Sequence, residues 1–316
     1  EEIIRIYGYD KIPVKTNIGI CITNKKIDEQ ATDTVRNFLA GMGIFEALTY
    51  SIVEEPSFDV NVWSEAKNLT IVNPLIKTEN KLRKTLLFNL LKVKKHNQDM
   101  GVKPVNIFEI SNIYLPLEGQ KLPDEKKCLS LLVEKEFLEL KGIIESIFEL
   151  LSVKKTIIWI NKEFNFLKKG ISAAIEIDGK LFGFIGELSK ELCDKSELNG
   201  TSCFAEMDFD LLIDKTTTQR AFQQLPNFPG ITRDVALVVD EKIKWADVEK
   251  CVLSGKTPFF DGLEFFDIYR GKQIDQGKKS IAFSVKFRSD ERTLKGEEAD
   301  SAIKDIVNKL GKELGG

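Results

Sequence analysis

The sequence is poor in the residues most often used for metal and nucleophilic chemistry. Its 316 residues include one histidine, three methionines and five cysteines. That histidine, His96, follows Lys94 and Lys95 on an expected helix, where a plain surface role suffices. A histidine-based zinc site or a Ser-His-Asp triad would have to be built on it alone, so both are set aside. The cysteines, at 21, 128, 193, 203 and 251, form no CxxC pair. Their scatter and odd number point to reduced thiols in a cytoplasmic protein rather than a disulfide framework. No apolar run approaches the roughly 18 residues of a membrane span, and no signal peptide is visible. The first residue is Glu1 rather than Met, which points to a chain cut from something longer.

The composition is that of a globular chain, with 42% hydrophobic and 30% charged residues and length enough for about two domains. The net charge of −3 does not announce a nucleic-acid binder, but the location of charge matters more than its sum. Arg270, Lys272, Lys278, Lys279, Lys286 and Arg288 face only Asp275 within positions 270–288.

Periodicity separates two regions. EEIIRIYGY ends a helix at Gly8, and KIPVKT runs on as a linker. Val35, Phe38, Leu39 and Met42 mark a helix after Asp28, and Leu86, Leu87, Leu90 and Leu91 mark another beginning near Leu82. EALTYSIV, VNIFEISNIYL and CFAEMDFDLLI have strand character. LELKGIIESIFELL is an amphipathic helix, and AAIEIDGKLFGFIGEL is a hairpin turning at Asp178-Gly179. This is a mixed, largely antiparallel α+β domain. The polar run from Asp214 to Gly230 is the best boundary. Beyond it the order is β-α-β-β-α, one strand short of a ferredoxin-like βαββαβ unit.

Such a sheet leaves one face bare. Alternation assigns Val235, Leu237, Val239, Phe266, Ile268, Ile281, Phe283, Val285 and Phe287 to the core. It leaves Ala236, Val238, Phe265, Asp267, Tyr269, Ser280, Ala282, Ser284, Lys286 and Arg288 outside. Rings, small residues, one carboxylate and a cationic border are the components with which single-stranded RNA is bound. Cover by another domain accounts for such a face equally well.

FPGITRDVALVVD, FFDIYRG, GKKSIAFSVKFRSDERTL and EEADSAIKDIVNKL resemble the ferredoxin-fold anticodon-binding domain that ends the beta subunit of bacterial phenylalanyl-tRNA synthetases. Upstream, EEIIRIYGYDKIP resembles the exit helix of the preceding B5-type domain of that subunit. NPL, LRKTLLFNLL, IFEIS and ELKG resemble its class II synthetase catalytic-like domain. The resemblance divides the chain into 1–14, 15–220 and 221–316. It implies a non-catalytic scaffold, a catalytic alpha partner that uses ATP, an assembly of two alpha and two beta chains, and the anticodon of tRNA-Phe as ligand, with no DNA or membrane partner.

The residues speak to the loss of activity. A class II site needs an Arg-x-Glu strand, but Ile107 stands where the Arg belongs before Glu109. Gly183 and Gly186 lead to Glu187 and Leu188 rather than a second ATP-binding Arg, so they read as tight strand packing. By resemblance the anticodon contacts fall on Ala236, Asp267, Tyr269 and Ser280, with Lys286 and Arg288 toward phosphates. Tyr269 would stack on a base and Asp267 would read its donors. Glu1 and Glu2 match two carboxylates of a magnesium site that is incomplete here, and a solvated helix end explains them as well. The family's editing and upstream RNA-binding domains have no counterpart in the sequence, and the stretch from Cys128 to Leu140 is short for the family. One of the apolar helices near 31–42 and 82–97 is expected to leave a patch for the alpha chain. The alternative function is an amino-acid-binding regulatory module, since fold does not fix function. A third reading is a ligase active on its own.

Overall fold

The computed structural model describes residues 1–17, 19, 26–56, 58–120, 122–153, 157–216, 222, 224–255, 257–271 and 274–315. Cys21, Lys272 and part of the 214–230 run lie outside them. The chain divides into two compact units, Glu1–Arg220 and Ala221–Gly316.

The first unit begins with α1 (Glu2–Tyr7), which Gly8 ends at φ 106 and which contributes no buried residue. There follow α2 (Ile27–Gly41), β1 (Phe45–Glu46), β2 (Ile52–Glu54), β3 (Glu79–Leu82) and α3 (Leu87–Asp99). Next come β4 (Ile107–Leu115), β5 (Asp124–Val133), α4 (Phe137–Leu150), β6 (Ile157–Asn161), β7 (Leu167–Ile177) and β8 (Lys180–Leu188). The unit closes with α5 (Lys190–Lys195), β9 (Cys203–Asp208) and α6 (Phe209–Lys215). Seven strands form one sheet in the order β1-β4-β5-β9-β8-β7-β6. Only the short β1 runs parallel to its neighbour; the remaining pairs are antiparallel. The hairpin turns where expected, with Asp178 at φ 52 and Gly179 at φ 73, the positive pair that a two-residue turn requires.

Both faces of this sheet are covered. One packs Phe108, Leu131, Ile175 and Met207 against Val35 and Leu39 of α2, Ile143 and Ile147 of α4, and Leu212 of α6. The other packs Leu132, Phe184 and Phe204 against Leu87, Leu90 and Leu91 of α3, Leu192 of α5 and the loop residues Val60 and Phe166. Local signals start the helices: Ser189 and Asp208 accept from the backbone N–H three residues on in α5 and α6. Glu139, in the first turn of α4, accepts from Glu136 N at 2.9 Å.

Of the two helical stripes, one of them expected to leave an open patch, the first is exposed at its last residue, Met42. Leu86, Leu87, Leu90 and Leu91 are covered, as are Val35 and Leu39, while Phe38 is half-buried. Exposed apolar residues continue past Met42 at Phe45, Leu48 and Tyr50. The reason is geometric: each helix spends its stripe on a face of its own sheet, and the edge strand β1 has no outer neighbour among the described residues.

The second unit comprises β10 (Ile231–Asp240), α7 (Trp245–Leu253), β11 (Phe260–Tyr269), β12 (Lys278–Phe287) and α8 (Gly296–Leu314). Its three strands run in the order β10-β12-β11, all antiparallel. The described residues supply five of the six βαββαβ elements. Both helices cover one face, where Val239, Val248, Ile281, Phe283, Val285 and Leu310 form the core. At the start of α8 the Glu298 carboxylate accepts from Lys295 N–H at 2.9 Å.

Candidate nucleic-acid interface

The uncovered face of the three-stranded sheet gathers the residues that alternation left outside. Two adjacent rungs cross it. Ala236 stands opposite Ala282, and Ala282 opposite Asp267; Val238 stands opposite Ser280, and Ser280 opposite Tyr269. Ala236, Asp267, Tyr269 and Ser280 therefore share one face within two rungs of one another. Tyr269 is 48% exposed, and Ser280 and Ala282 are half-buried between the flanking strands. The result is a shallow floor of small residues with a ring at one edge and a carboxylate beside it.

A bulge corrects part of the alternation. Phe265 stands opposite Phe283 and Asp267 opposite Ala282, so Phe266 is the additional residue. Phe265 therefore belongs to the helix-covered face, where its ring lies 5.3 Å from that of Trp245. Phe266, assigned to the core, is 55% exposed. The same inserted residue puts Glu264 on the open face, opposite Ser284. Period-two counting fails by one residue upstream of the bulge, and no local signal in FFDIY marks it.

The cationic border is also more mixed than the sequence window suggested. Lys286 Nζ lies 2.8 Å from Glu264 Oε2, and Arg288 Nη2 lies 2.8 Å from Asp261 Oδ1. Arg270 engages Glu241 through Nη2 at 2.7 Å and Nε at 3.0 Å. The bond to Arg270 holds the Glu241 carboxyl below its usual range, and the bond to Glu264 raises the Lys286 ammonium. Ser284 Oγ donates to Asp234 Oδ1 at 2.6 Å. The carboxylates come from β10, β11 and the turn after β10, so a count over 270–288 misses them.

The first unit presents a different polar constellation, on the α3 side of its sheet. Glu109 is fully buried; its Oε1 accepts from Arg83 Nη1 at 3.0 Å and its Oε2 from Thr49 Oγ1 at 2.8 Å. Arg83 also donates through Nε to Asn112 O at 3.0 Å. Ile107 packs into the apolar cluster beside them. Glu206 is likewise buried and surrounded by donors. Trp63 Nε1 lies 2.7 Å from Oε1, while Leu86 N, Ser130 Oγ and Thr85 Oγ1 lie 2.7, 2.8 and 3.0 Å from Oε2. Burial pushes its carboxyl above the usual range, against the pull of these four bonds. Lys84, whose ammonium burial pushes down, is caged by Ala66 O, Asn61 Oδ1 and Ser64 O. Each of these groups is thus bonded within the unit itself. A Cβ on Gly183 would sit 2.6 Å from Glu206 O, and one on Gly186 would sit 2.8 Å from Ile171 O. These glycines are close-packing positions, as read from the sequence.

Glu1 and Glu2 are exposed, and Glu2 pairs with Arg5. Among the described residues no three His, Cys, Asp or Glu side chains gather into a metal-binding group. Glu1 and Glu2 are thus not joined by a third such ligand among the described residues, in keeping with a site that the sequence carries only in part. His96 is exposed, and Cys128, Cys193, Cys203 and Cys251 are free thiols that burial holds in the protonated form. No described helix is long and apolar enough to cross a membrane.

Residues 13–209 match the phenylalanyl tRNA synthetase beta chain CLM domain, and residues 226–316 match the ferredoxin-fold anticodon binding domain. Among known proteins, the phenylalanine–tRNA ligase beta subunit of Clostridium acetobutylicum is 31% identical over 99% of this chain, and that of Clostridium tetani 29% over 99%. In both cases the chain spans 41% of the relative's length. A solved structure, the pyrrolysyl-tRNA synthetase of Desulfitobacterium hafniense, is similar over 58% of this chain and 67% of its own, with a TM-score of 0.47 and 16% identity. From the two matched domains, in that order along one sequence, the chain belongs to the phenylalanyl-tRNA synthetase beta chain family.

Proposed function

We propose that this chain serves a phenylalanine–tRNA ligase without performing its chemistry. Its second unit receives the anticodon of tRNA-Phe, and its first unit is a scaffold for a catalytic alpha chain that binds ATP. The single observation that carries the RNA role is the open face, where Ala236, Asp267, Tyr269 and Ser280 stand within two rungs. An unpaired base has a π-face for Tyr269 and edge donors for Asp267, and the small residues between leave it room to lie against the sheet. Lys286 and Arg288 serve phosphates by exchanging their carboxylate partners, because exposed pairs of this kind contribute little and trade readily.

The scaffold role rests on the buried seam. Glu109 and Arg83 neutralise each other, Glu206 is sealed by four donors, and both sheet faces are filled. A triphosphate entering here would meet no free cation among these groups. Phe45, Leu48 and Tyr50, exposed at the β1 end of the sheet, support that edge as the alpha-facing surface. A groove of about 660 Å³ lies beside it, between segment 48–56 and α3, with Ile52, Phe88 and Leu91 in its walls. The assembly of two alpha and two beta chains in the cytoplasm and the 1–14 segment as the end of a B5-type domain belong to the same reading.

The test pairs two assays. Binding of a tRNA-Phe anticodon stem-loop is followed by fluorescence anisotropy, with a loop of substituted anticodon as control. Tyr269→Ala should cost roughly 1–3 kcal/mol, a loss of about ten- to hundredfold, and Asp267→Ala should instead relax discrimination between the two loops. Adenylation with ATP and phenylalanine should be absent from the chain alone. Unchanged affinity in Tyr269→Ala overturns the RNA reading, and turnover by the isolated chain overturns the scaffold reading.

A further inference from the structure

We propose that Gly271 is a positioning residue: it gives the Tyr269 ring room to lie along the sheet surface, and the Arg270–Glu241 pair fixes the strand end from which that ring projects. The inference rests on the reading of Tyr269 as a stacking platform and adds what makes the platform flat.

Gly271 lies just past β11, which ends at Tyr269, and a side chain at 271 would occupy the space into which the Tyr269 ring extends. A Cβ at Gly271 would sit 2.0 Å from Tyr269 Oη, 2.2 Å from Cζ and 2.7 Å from Cε1. The phenol end thus fills the place that a side chain at 271 would take. Gly271 is not among the glycines with positive φ, so the backbone conformation does not demand it. What demands it is the ring. A ring inclined along the strand offers a face outward, whereas one standing upright offers an edge, and bases stack on faces.

The strand end is held independently. Arg270 donates to Glu241 through Nε and Nη2, and Glu241 O accepts from Lys279 Nζ at 2.8 Å. Glu241 N in turn donates to Gly277 O at 2.9 Å, and Ile274 N to Gly271 O at 3.0 Å. Glu241 follows β10 and Arg270 follows β11, so the pair spans the middle strand β12. The sequence motif YRG thereby acquires a division of labour: ring, clamp and the space into which the ring lies.

The test uses the full 316-residue chain with the anticodon stem-loop and needs no enzyme activity. Gly271→Ala should weaken binding by about tenfold, close to Tyr269→Ala, while the thermal melt stays unchanged, because the ring and not the backbone must move. The double variant Tyr269→Ala/Gly271→Ala should bind no more weakly than Tyr269→Ala alone, the non-additivity of two residues acting through one contact. Glu241→Gln should show a smaller loss, of about two- to threefold. Without RNA, the Gly271 α-protons should carry an upfield ring-current shift that Tyr269→Ala abolishes. Reduced affinity in Tyr269→Ala with wild-type affinity in Gly271→Ala, or fully additive losses in the double variant, overturns the positioning role alone. Wild-type affinity in Tyr269→Ala overturns the stacking reading and the recognition role of Gly271 with it.

Discussion

The two sheets of this molecule differ in how many faces they spend on packing. In β9 all six residues are buried, because helices or loops cover both sides. In β10 and β12 burial alternates, because helices cover one side only. A strand covered on both faces has no surface to offer a reactant, and its polar side chains must find partners inside the fold. A strand covered on one face keeps every second residue free for a ligand. The first unit has thus committed its polar groups to its own fold, while the smaller unit leaves one face of its sheet uncovered.

The sharpest way to break this contrast is to damage the doubly covered sheet. Phe184 is fully buried, with its ring 5.4 Å from Phe164, 5.5 Å from Phe166 and 5.9 Å from Phe204. Phe184→Ala should destabilise the first unit by about 3–5 kcal/mol in urea unfolding. Stem-loop affinity of the folded protein should not change. A fall in affinity as large as the fall in stability would mean that the buried sheet takes part in recognition.

A smaller effect tests whether Glu206 is structural. Glu206→Gln sets an amide N–H₂ against at least one of the four donors and should cost about 1–3 kcal/mol. The pH dependence has a definite sign. The folded carboxyl is raised, so the folded chain holds this proton at pH values where the unfolded chain has lost it. Its contribution to stability is therefore largest below the ordinary carboxylate range and falls as pH rises toward the folded value. Urea midpoints measured between pH 4 and 7 should show this decline in the wild type, and Glu206→Gln should lack that component.

Much of this architecture was legible from residue pattern, and the failures have local causes. Asp178-Gly179 announced its hairpin because a two-residue turn needs two positive φ values. Val235, Leu237 and Val239 announced the core face of β10 because period two survives wherever a strand is regular. The strand β5 was missed: it opens with Asp124-Glu125-Lys126-Lys127 and becomes apolar only from Cys128. Phe265 and Phe266 were misassigned because a bulge is invisible to alternation. Asp261 and Glu264 were missed as partners of Arg288 and Lys286 because ion pairs across strands join residues more than 20 positions apart. The family resemblance supplied the candidate contacts, and alternation supplied their common face.

Those unforeseen carboxylates give the smallest effect and the finest test of the open surface. If Lys286 turns from Glu264 to a phosphate when RNA binds, part of its charge is already compensated in the free protein. Lys286→Ala should then lower the slope of log affinity against log salt by less than the roughly 0.7 of a full contact to single-stranded nucleic acid. Arg288→Ala should behave alike, because Asp261 plays the same part. Removing the competitor should do the opposite. Glu264→Gln releases Lys286 and removes a negative charge from the face, so affinity should rise by about two- to fivefold, matching the 0.2–1 kcal/mol of an exposed pair. The wild-type and variant titrations need a low-salt series, since screening erases a gain of this size at high salt. An unchanged or weakened affinity in Glu264→Gln would show that the Lys286–Glu264 pair stays closed on the RNA. The phosphate contacts would then have to come from cations outside this pair.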